Sequence, residues 1–237
     1  MYFAYNSLLL LLTILLAPLA CLLLLARRKY RVGFFKKCGL VIRPLPFSTQ
    51  PLWIHAVSVG EVMAAVPLIR EIKRRYPGMP IIVSTVTETG NLTAHRNLRN
   101  VDQVIFFPFD YSFIVRWVIA RIRPRAFIAL ETEIWPNFLR ELRRQRIPAM
   151  IVSGRISSRS FKNYYFFRFF FRRVLDTVDC FCMQTQRDAE RIISMGAAPE
   201  RVVTAGNVKF DHQVPPISDQ EHGSICGALH LRERQSV

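Results

Sequence analysis

The chain has 237 residues, and 33 Lys and Arg against 17 Asp and Glu leave a formal charge of +16, which excludes an acidic disordered segment and points to anionic partners. Hydrophobic residues at 51% and aromatics at 12% supply enough apolar mass for a packed core, so disorder of the whole chain is excluded as well. Five cysteines, an odd number with no CxxC pair and no His/Cys spacing suited to zinc, argue against a disulfide framework or a structural metal.

The first element is an anchor. From Ser7 to Ala26 the chain reads SLLLLLTILLAPLACLLLLA, about 30 Å of uncharged, mostly apolar helix at 1.5 Å per residue, which matches a bilayer core. A cleaved signal peptide is the rival, but no Lys or Arg precedes the run and the run is longer than a usual signal core. A lipoprotein signal would use Cys21, yet Pro18-Leu19-Ala20 precedes it and four leucines follow. Residues 27–50 form a basic linker: Arg27, Arg28, Lys29, Arg31, Lys36, Lys37 and Arg43 are uncompensated, because no Asp or Glu occurs before Glu61. By the positive-inside rule everything downstream faces the cytoplasm as a single-pass protein. The same charges suit an anionic leaflet, each contributing on the order of 1 kcal/mol, and the remaining +9 is spread over the rest of the chain. The charge therefore speaks for a membrane face and a phosphorylated lipid rather than nucleic acid, for which no recognition motif is present.

From residue 51 onward, short β-rich runs at Leu52–Val57, Pro80–Val86, Gln103–Phe107, Ala126–Leu130, Ala149–Ser153, Asp179–Met183 and Arg201–Ala205 alternate with helical spacing. After Glu61, Val62, Ala65, Val66, Ile69 and Ile72 mark one helical face and Arg70, Lys73, Arg74 and Arg75 the other, with Pro67 inside the segment. Further helices are expected over Asn91–Leu98, Tyr111–Ile122, Asn137–Gln145, Ser158–Asp176 and Arg187–Met195. Such alternation predicts an α/β fold with a parallel sheet covered on both faces and ligands at the carboxyl ends of the strands. The segment FKNYYFFRFFF, Phe161 to Phe171, has eight aromatics on all faces and reads as a helix buried on most sides, with a lipid-dipping surface as the second choice. Cys180 and Cys182, two apart on a strand, are expected to point together into the core, and His55 reads as a core or hydrogen-bonded histidine.

The loops after strands carry the candidate chemistry. His55-Ala56-Val57-Ser58-Val59-Gly60-Glu61 puts a carboxylate where a helix should begin, and a helix N-terminus favours the ionised form that a general base needs; the bland alternative is a first-turn Glu that only complements the helix dipole. Ser84-Thr85-Val86-Thr87-Glu88-Thr89-Gly90 offers hydroxyls to an oxyanion or sugar, or ordinary N-cap chemistry. Glu131-Thr132-Glu133-Ile134-Trp135-Pro136-Asn137 ends the fourth strand with two carboxylates that share a side unless the turn has begun. Ser153-Gly154-Arg155-Ile156-Ser157 ends the fifth, and Gly206-Asn207-Val208-Lys209-Phe210-Asp211 the last.

Together HAVSVGE, STVTETG, ETEIWPN, GRISSRS and GNVKFD, in this order after one N-terminal anchor, resemble the 3-deoxy-D-manno-octulosonic acid (Kdo) transferases of lipopolysaccharide synthesis, over roughly residues 1–211. The resemblance implies a GT-B glycosyltransferase of two Rossmann-like domains at the cytoplasmic face of the bacterial inner membrane. It implies transfer of Kdo from CMP-Kdo to lipid IVA with inversion and without a catalytic metal or other cofactor. It further implies Glu61 as the proton acceptor for the lipid hydroxyl, with Glu131 and Lys209 assisting the transition state, where an oxocarbenium-like sugar and a departing phosphate develop opposite charges. Thr87, Glu133 and Arg155 are the candidates for positioning and for binding substrate anions. Residues 51–211 would be the acceptor-side domain, and 212–237, with Pro215-Pro216 and no strand–helix alternation, a truncated tail where the CMP-binding donor domain would begin.

Overall fold

The computed structural model describes residues 1–26, 28–40 and 49–211. The expected tail over 212–237 lies outside them, as does most of the second half of the basic linker.

The N-terminal helix α1 runs over Tyr2–Ala26, longer than the apolar run alone, because Tyr2 to Asn6 continue the same helix. It is long and apolar enough to cross a membrane. The linker is not extended throughout: Arg28–Lys37 form a second helix, α2.

Seven strands follow in the expected places: β1 Leu52–His55, β2 Ile81–Thr85, β3 Gln103–Phe106, β4 Ala126–Leu130, β5 Ala149–Gly154, β6 Cys180–Met183 and β7 Val202–Thr204. All neighbouring pairs are parallel, in the order β3-β2-β1-β4-β5-β6-β7. Strands buried on both sides favour apolar runs without polar alternation, as in LWIH of β1 and IIVST of β2, whose buried His55, Ser84 and Thr85 at the carboxyl ends are hydrogen-bonded. Helices α3 (Val59–Arg75) and α4 (Glu88–Asn97) cover one face, over Ile54, Ile81, Val83 and Leu130. Helices α5 (Ser112–Ile122), α6 (Pro136–Arg144) and α9 (Gln186–Ser194) cover the other, over a core of Trp53, Phe127, Phe138 and Phe181. The change of winding direction falls between β1 and β4, and a crevice at the carboxyl ends of those two strands is where such folds bind ligands.

Pro67 does not break α3, whose buried face of Val62, Ala65 and Ile69 holds the helix together through the position lacking an N–H. Two expectations about burial are corrected. The aromatic segment is not one helix buried on most sides but two surface helices, α7 (Ser158–Phe166) and α8 (Arg168–Leu175), which part at Phe167. Phe166 and Phe169 are 77% and 70% exposed, and on α8 only Val174 and Leu175 are buried, so these rings form an outer surface. Cys180 and Cys182 do share a side, with their sulfurs 3.9 Å apart, but they are half-buried, and it is Phe181 and Met183 that enter the core.

Candidate active site

The first crossover loop builds a carboxylate site from consecutive residues. β1 ends at His55, the chain turns through Ala56 and Val57, and Ser58 stands at the N-cap of α3 with extended backbone. Glu61, in the first helical turn, folds back. The Val57 backbone N–H donates to Glu61 Oε2 at 2.8 Å and the Ser58 hydroxyl donates to Oε1 at 2.9 Å. Both carboxylate oxygens are thereby aimed before any substrate arrives. The signal for this geometry is the S-x-x-E spacing of Ser58 and Glu61, a relative of the capping box in which the glutamate reaches back past the cap. Glu61 is only 6% exposed. Burial pushes its carboxyl above the usual carboxylate range, against the two hydrogen bonds, while the charge of Glu131 adds to the rise and that of Lys209 opposes it. A carboxylate so placed is a stronger proton acceptor than one in water.

The neighbouring crossover holds the loop from behind. Thr87 is the N-cap of α4: its hydroxyl accepts from the Gly90 N–H at 3.0 Å and donates to the Val57 carbonyl at 3.2 Å. Its proton is therefore committed to the Glu61 loop. Gly90 suits this turn, since a Cβ would stand 2.7 Å from Thr87 Oγ1 and 3.2 Å from the Val57 carbonyl oxygen.

Across the crevice, β4 ends at Leu130 and the turn begins at once, because Glu131 has a left-handed backbone with φ 58°. The pleat no longer relates Glu131 to Glu133, and each is placed by the turn. Glu131 Oε1 accepts a hydrogen bond from Lys209 Nζ at 2.6 Å, with both groups partly open to solvent. Glu133 is driven up to about 7, first by burial and then by the charges of Glu61 and Glu131. Three carboxylates and one lysine thus meet where the winding reverses. Arg155 is on the adjacent loop: its backbone N–H donates to Thr132 Oγ1 at 2.9 Å, the same hydroxyl donates to its carbonyl at 2.7 Å, and its side chain is exposed.

Lys209 is aimed by Asn207 on its own loop and, through it, by the carboxyl ends of β5 and β6. After β7 the chain forms a single helical turn over Val208–Asp211, and Asn207 Oδ1 accepts the Lys209 N–H at 2.9 Å. Asn207 also accepts from Ser153 Oγ at 3.2 Å, and Ser153 in turn receives Gln184 Nε2 on its carbonyl at 3.0 Å. Ser153, like Glu131, is left-handed, at φ 57°, beside a register shift between β5 and β6. Two strained non-glycine residues at the ends of adjacent strands cost about 1–3 kcal/mol each, and both carry side chains of this network. Ser153, Gln184 and Asn207 escape a reading based on charge, because neutral side chains at strand ends look like ordinary turn residues.

His55 is fully buried, stacked on Phe107 with centroids 4.0 Å apart and bonded through Nδ1 to Ser84 Oγ at 2.9 Å. Burial holds its pKa down to about 3, so it stays neutral and structural. Among the described residues no group of three His, Cys, Asp or Glu is arranged to hold a metal ion.

Comparison with known proteins bears on the family and the fold. The chain is 32% identical over 189 residues to a bifunctional glycosyltransferase/methyltransferase of Fusobacterium nucleatum, covering 78% of this chain and 29% of that protein. It is 30% identical over 209 residues to the 3-deoxy-D-manno-octulosonic acid transferase of Haemophilus influenzae, covering 88% and 49% respectively. The chain thus spans less than half the length of these relatives. Among solved structures it resembles the UDP-GlcNAc 2-epimerase of Neisseria meningitidis bound to UDP-GlcNAc, with a TM-score of 0.55 at 11% identity over 78% of this chain and 56% of that one. An S. aureus MnaA–UDP structure gives 0.54 at 13% identity, over 77% and 52%. At such identities the likeness is one of fold alone, and it is the fold of the Rossmann-like half of a GT-B protein. Residues 26–212 match the family described as 3-deoxy-D-manno-octulosonic-acid transferase (kdotransferase), and the chain belongs to that family.

Proposed function

We propose that these residues form the acceptor side of an inverting, metal-independent transferase that moves Kdo from CMP-Kdo to lipid IVA, held by α1 at the inner membrane with its globular part in the cytoplasm. The observation that carries this reading is the Glu61 carboxylate, buried and gripped by Val57 and Ser58, facing the Glu131–Lys209 pair across the switch point. Glu61 accepts the proton of the attacking sugar hydroxyl as the bond from Kdo to CMP breaks. Glu131 offsets positive charge on the oxocarbenium-like sugar, and Lys209 meets the sugar carboxylate or the leaving phosphate. Glu133, protonated for part of the time near neutrality, donates to or accepts from a sugar hydroxyl. Arg155 binds a substrate anion with its free side chain, and Thr87 positions the Glu61 loop. The donor nucleotide is expected on a second domain of the kind that completes a GT-B enzyme.

Incubation with CMP-Kdo and lipid IVA, with and without the donor domain of a relative supplied separately, tests the reading through the mass of the acceptor. Transfer in at least one mixture is expected, and transfer in neither contradicts it. The partial coverage of the relatives favours a second reading for these 237 residues alone, a membrane-bound module that binds the acceptor without transfer. Transfer only in the supplemented mixture is its signature.

A further inference from the structure

α1 has the length and composition of a membrane span, yet from Tyr2 to Thr13 one of its faces is bonded to the globular domain. In its first turns the Arg140 guanidinium lies over the Tyr2 ring at 4.4 Å, and the Tyr5 ring sits 5.8 Å from that of Phe170. The Tyr5 hydroxyl donates to Asp110 Oδ2 at 2.9 Å. Asn6 and Asn137 exchange amide hydrogen bonds of 3.2 and 2.9 Å, and Ser112 Oγ donates to Asn6 Oδ1 at 3.1 Å. Two turns on, the hydroxyls of Thr13 and Tyr111 are hydrogen-bonded. At the far end Ala20, Leu23 and Leu24 form one wall of an apolar groove of about 980 Å³ whose other wall includes Val86, Leu92 and Phe109. Positions 2, 5, 6, 13, 20 and 24 make a single stripe at helical spacing.

Such a stripe cannot coexist with an upright helix. Tyr5 and Ala26 are separated by about 32 Å of helix, the thickness of the hydrocarbon core. With the basic residues that follow Ala26 at the cytoplasmic surface, an upright α1 would carry Tyr5 and Asn6 to the opposite surface, a bilayer away from Asp110 and Asn137. Those partners are fixed in the domain, since Asp110 also accepts the backbone N–H groups of Asn137 and Phe138 at the start of α6. The face of α1 turned away from the domain is leucine, with Leu15 72% and Leu25 76% exposed. Close to the α1 contacts, Phe113, 6.0 Å from Tyr111, and Phe169, next to Phe170, are also exposed apolar rings.

We infer that α1 lies in the plane of the cytoplasmic leaflet, latched to the domain through Tyr5 and Asn6 with its leucine face in the acyl chains, and does not cross the membrane. Apolar character all round the helix then has two uses, one side against the domain and the other against lipid. Asn137 follows the Glu131–Pro136 turn directly, so the latch also fixes the height of the carboxylates above the lipid. The inference rests on the membrane attachment proposed above and goes beyond it.

The test uses the full chain in inner membranes of a Gram-negative host, with its five cysteines replaced by serine. A short cysteine-bearing tag ahead of Met1 is reacted with a membrane-impermeant maleimide in spheroplasts and in inverted vesicles. Asn6→Cys/Asn137→Cys is cross-linked by oxidation, and Tyr5→Cys/Asp110→Cys by a short bismaleimide. Labelling in inverted vesicles alone, with a cross-link at either pair in most chains, is expected. Labelling in spheroplasts, or no cross-link at either pair, overturns the inference while leaving the attachment standing. Recovery of the chain in the soluble fraction overturns the attachment, and the inference with it.

Discussion

Glu61 and Glu131 face one crevice, but they are placed in opposite ways. Glu61 is set by neighbours in sequence: Val57 and Ser58, four and three residues away, grip both its oxygens, and burial does the rest. Glu131 is set by the fold: a left-handed backbone ends β4, and its partner Lys209 is 78 residues distant, steadied through Asn207 on its own loop and through Ser153 and Gln184 at the ends of β5 and β6. A locally built group keeps its geometry as long as one helix start is intact. One built at long range depends on every crossover that meets at the carboxyl edge, and its tuning can change without disturbing the first.

The largest break in this comparison is Glu61→Ala, which removes the proposed proton acceptor and should lower Kdo transfer by about 10²–10⁴-fold in the supplemented assay, with the circular dichroism of the domain unchanged. Lys209→Ala should cost about 10²-fold in kcat and under about 1 kcal/mol of stability, because its pair with Glu131 is partly exposed; a large loss of stability would show the lysine to be a structural brace.

Glu133 gives a prediction in stability. Its carboxyl is raised from 4.5 to about 7 in the folded protein, so the folded state favours its protonated form. That contribution is fully present below pH 4.5 and lost as pH rises through 7. Glu133→Gln, which keeps the neutral shape, should therefore match the parent near pH 4.5 and exceed it above pH 7 by up to about 3 kcal/mol. Denaturant unfolding at the two pH values measures the difference. The smallest effect belongs to Asn207→Ala: losing its acceptor for the Lys209 N–H should cost about 1 kcal/mol and lower kcat by less than Lys209→Ala does, while leaving Glu61 chemistry untouched.

Most of the sheet is legible because fully buried parallel strands favour continuous apolar runs, and β1, β2 and β4 announce themselves as LWIH, IIVST and AFIAL. The place of Glu61 in the first turn of a helix is legible locally, whereas its role is implied only by the resemblance and its grip by Val57 and Ser58 is seen only in the fold. What stays hidden depends on contacts across the fold. Nothing in FKNYYFFRFFF marks Phe167 as the break, with no Pro or Gly there, and rings on every face look the same whether core or lipid is to cover them. In CFCM both alternating sets are apolar, so the pattern cannot say whether cysteines or Phe181 and Met183 enter the core. The left-handed turns at Glu131 and Ser153 occur at residues with no intrinsic taste for them. The docking of α1 uses one stripe of polar side chains in an otherwise leucine helix, which composition averages away.

The dependence of kcat/KM for Kdo transfer on pH, in the parent and in Glu61→Gln, tests the central claim most directly. If Glu61 is the proton acceptor, the parent's rate falls on the acid side with an apparent pKa above the ordinary glutamate value, and Glu61→Gln loses both that limb and most of the rate. An acid limb that survives unchanged in Glu61→Gln, or a variant that transfers at the parental rate, would contradict the assignment.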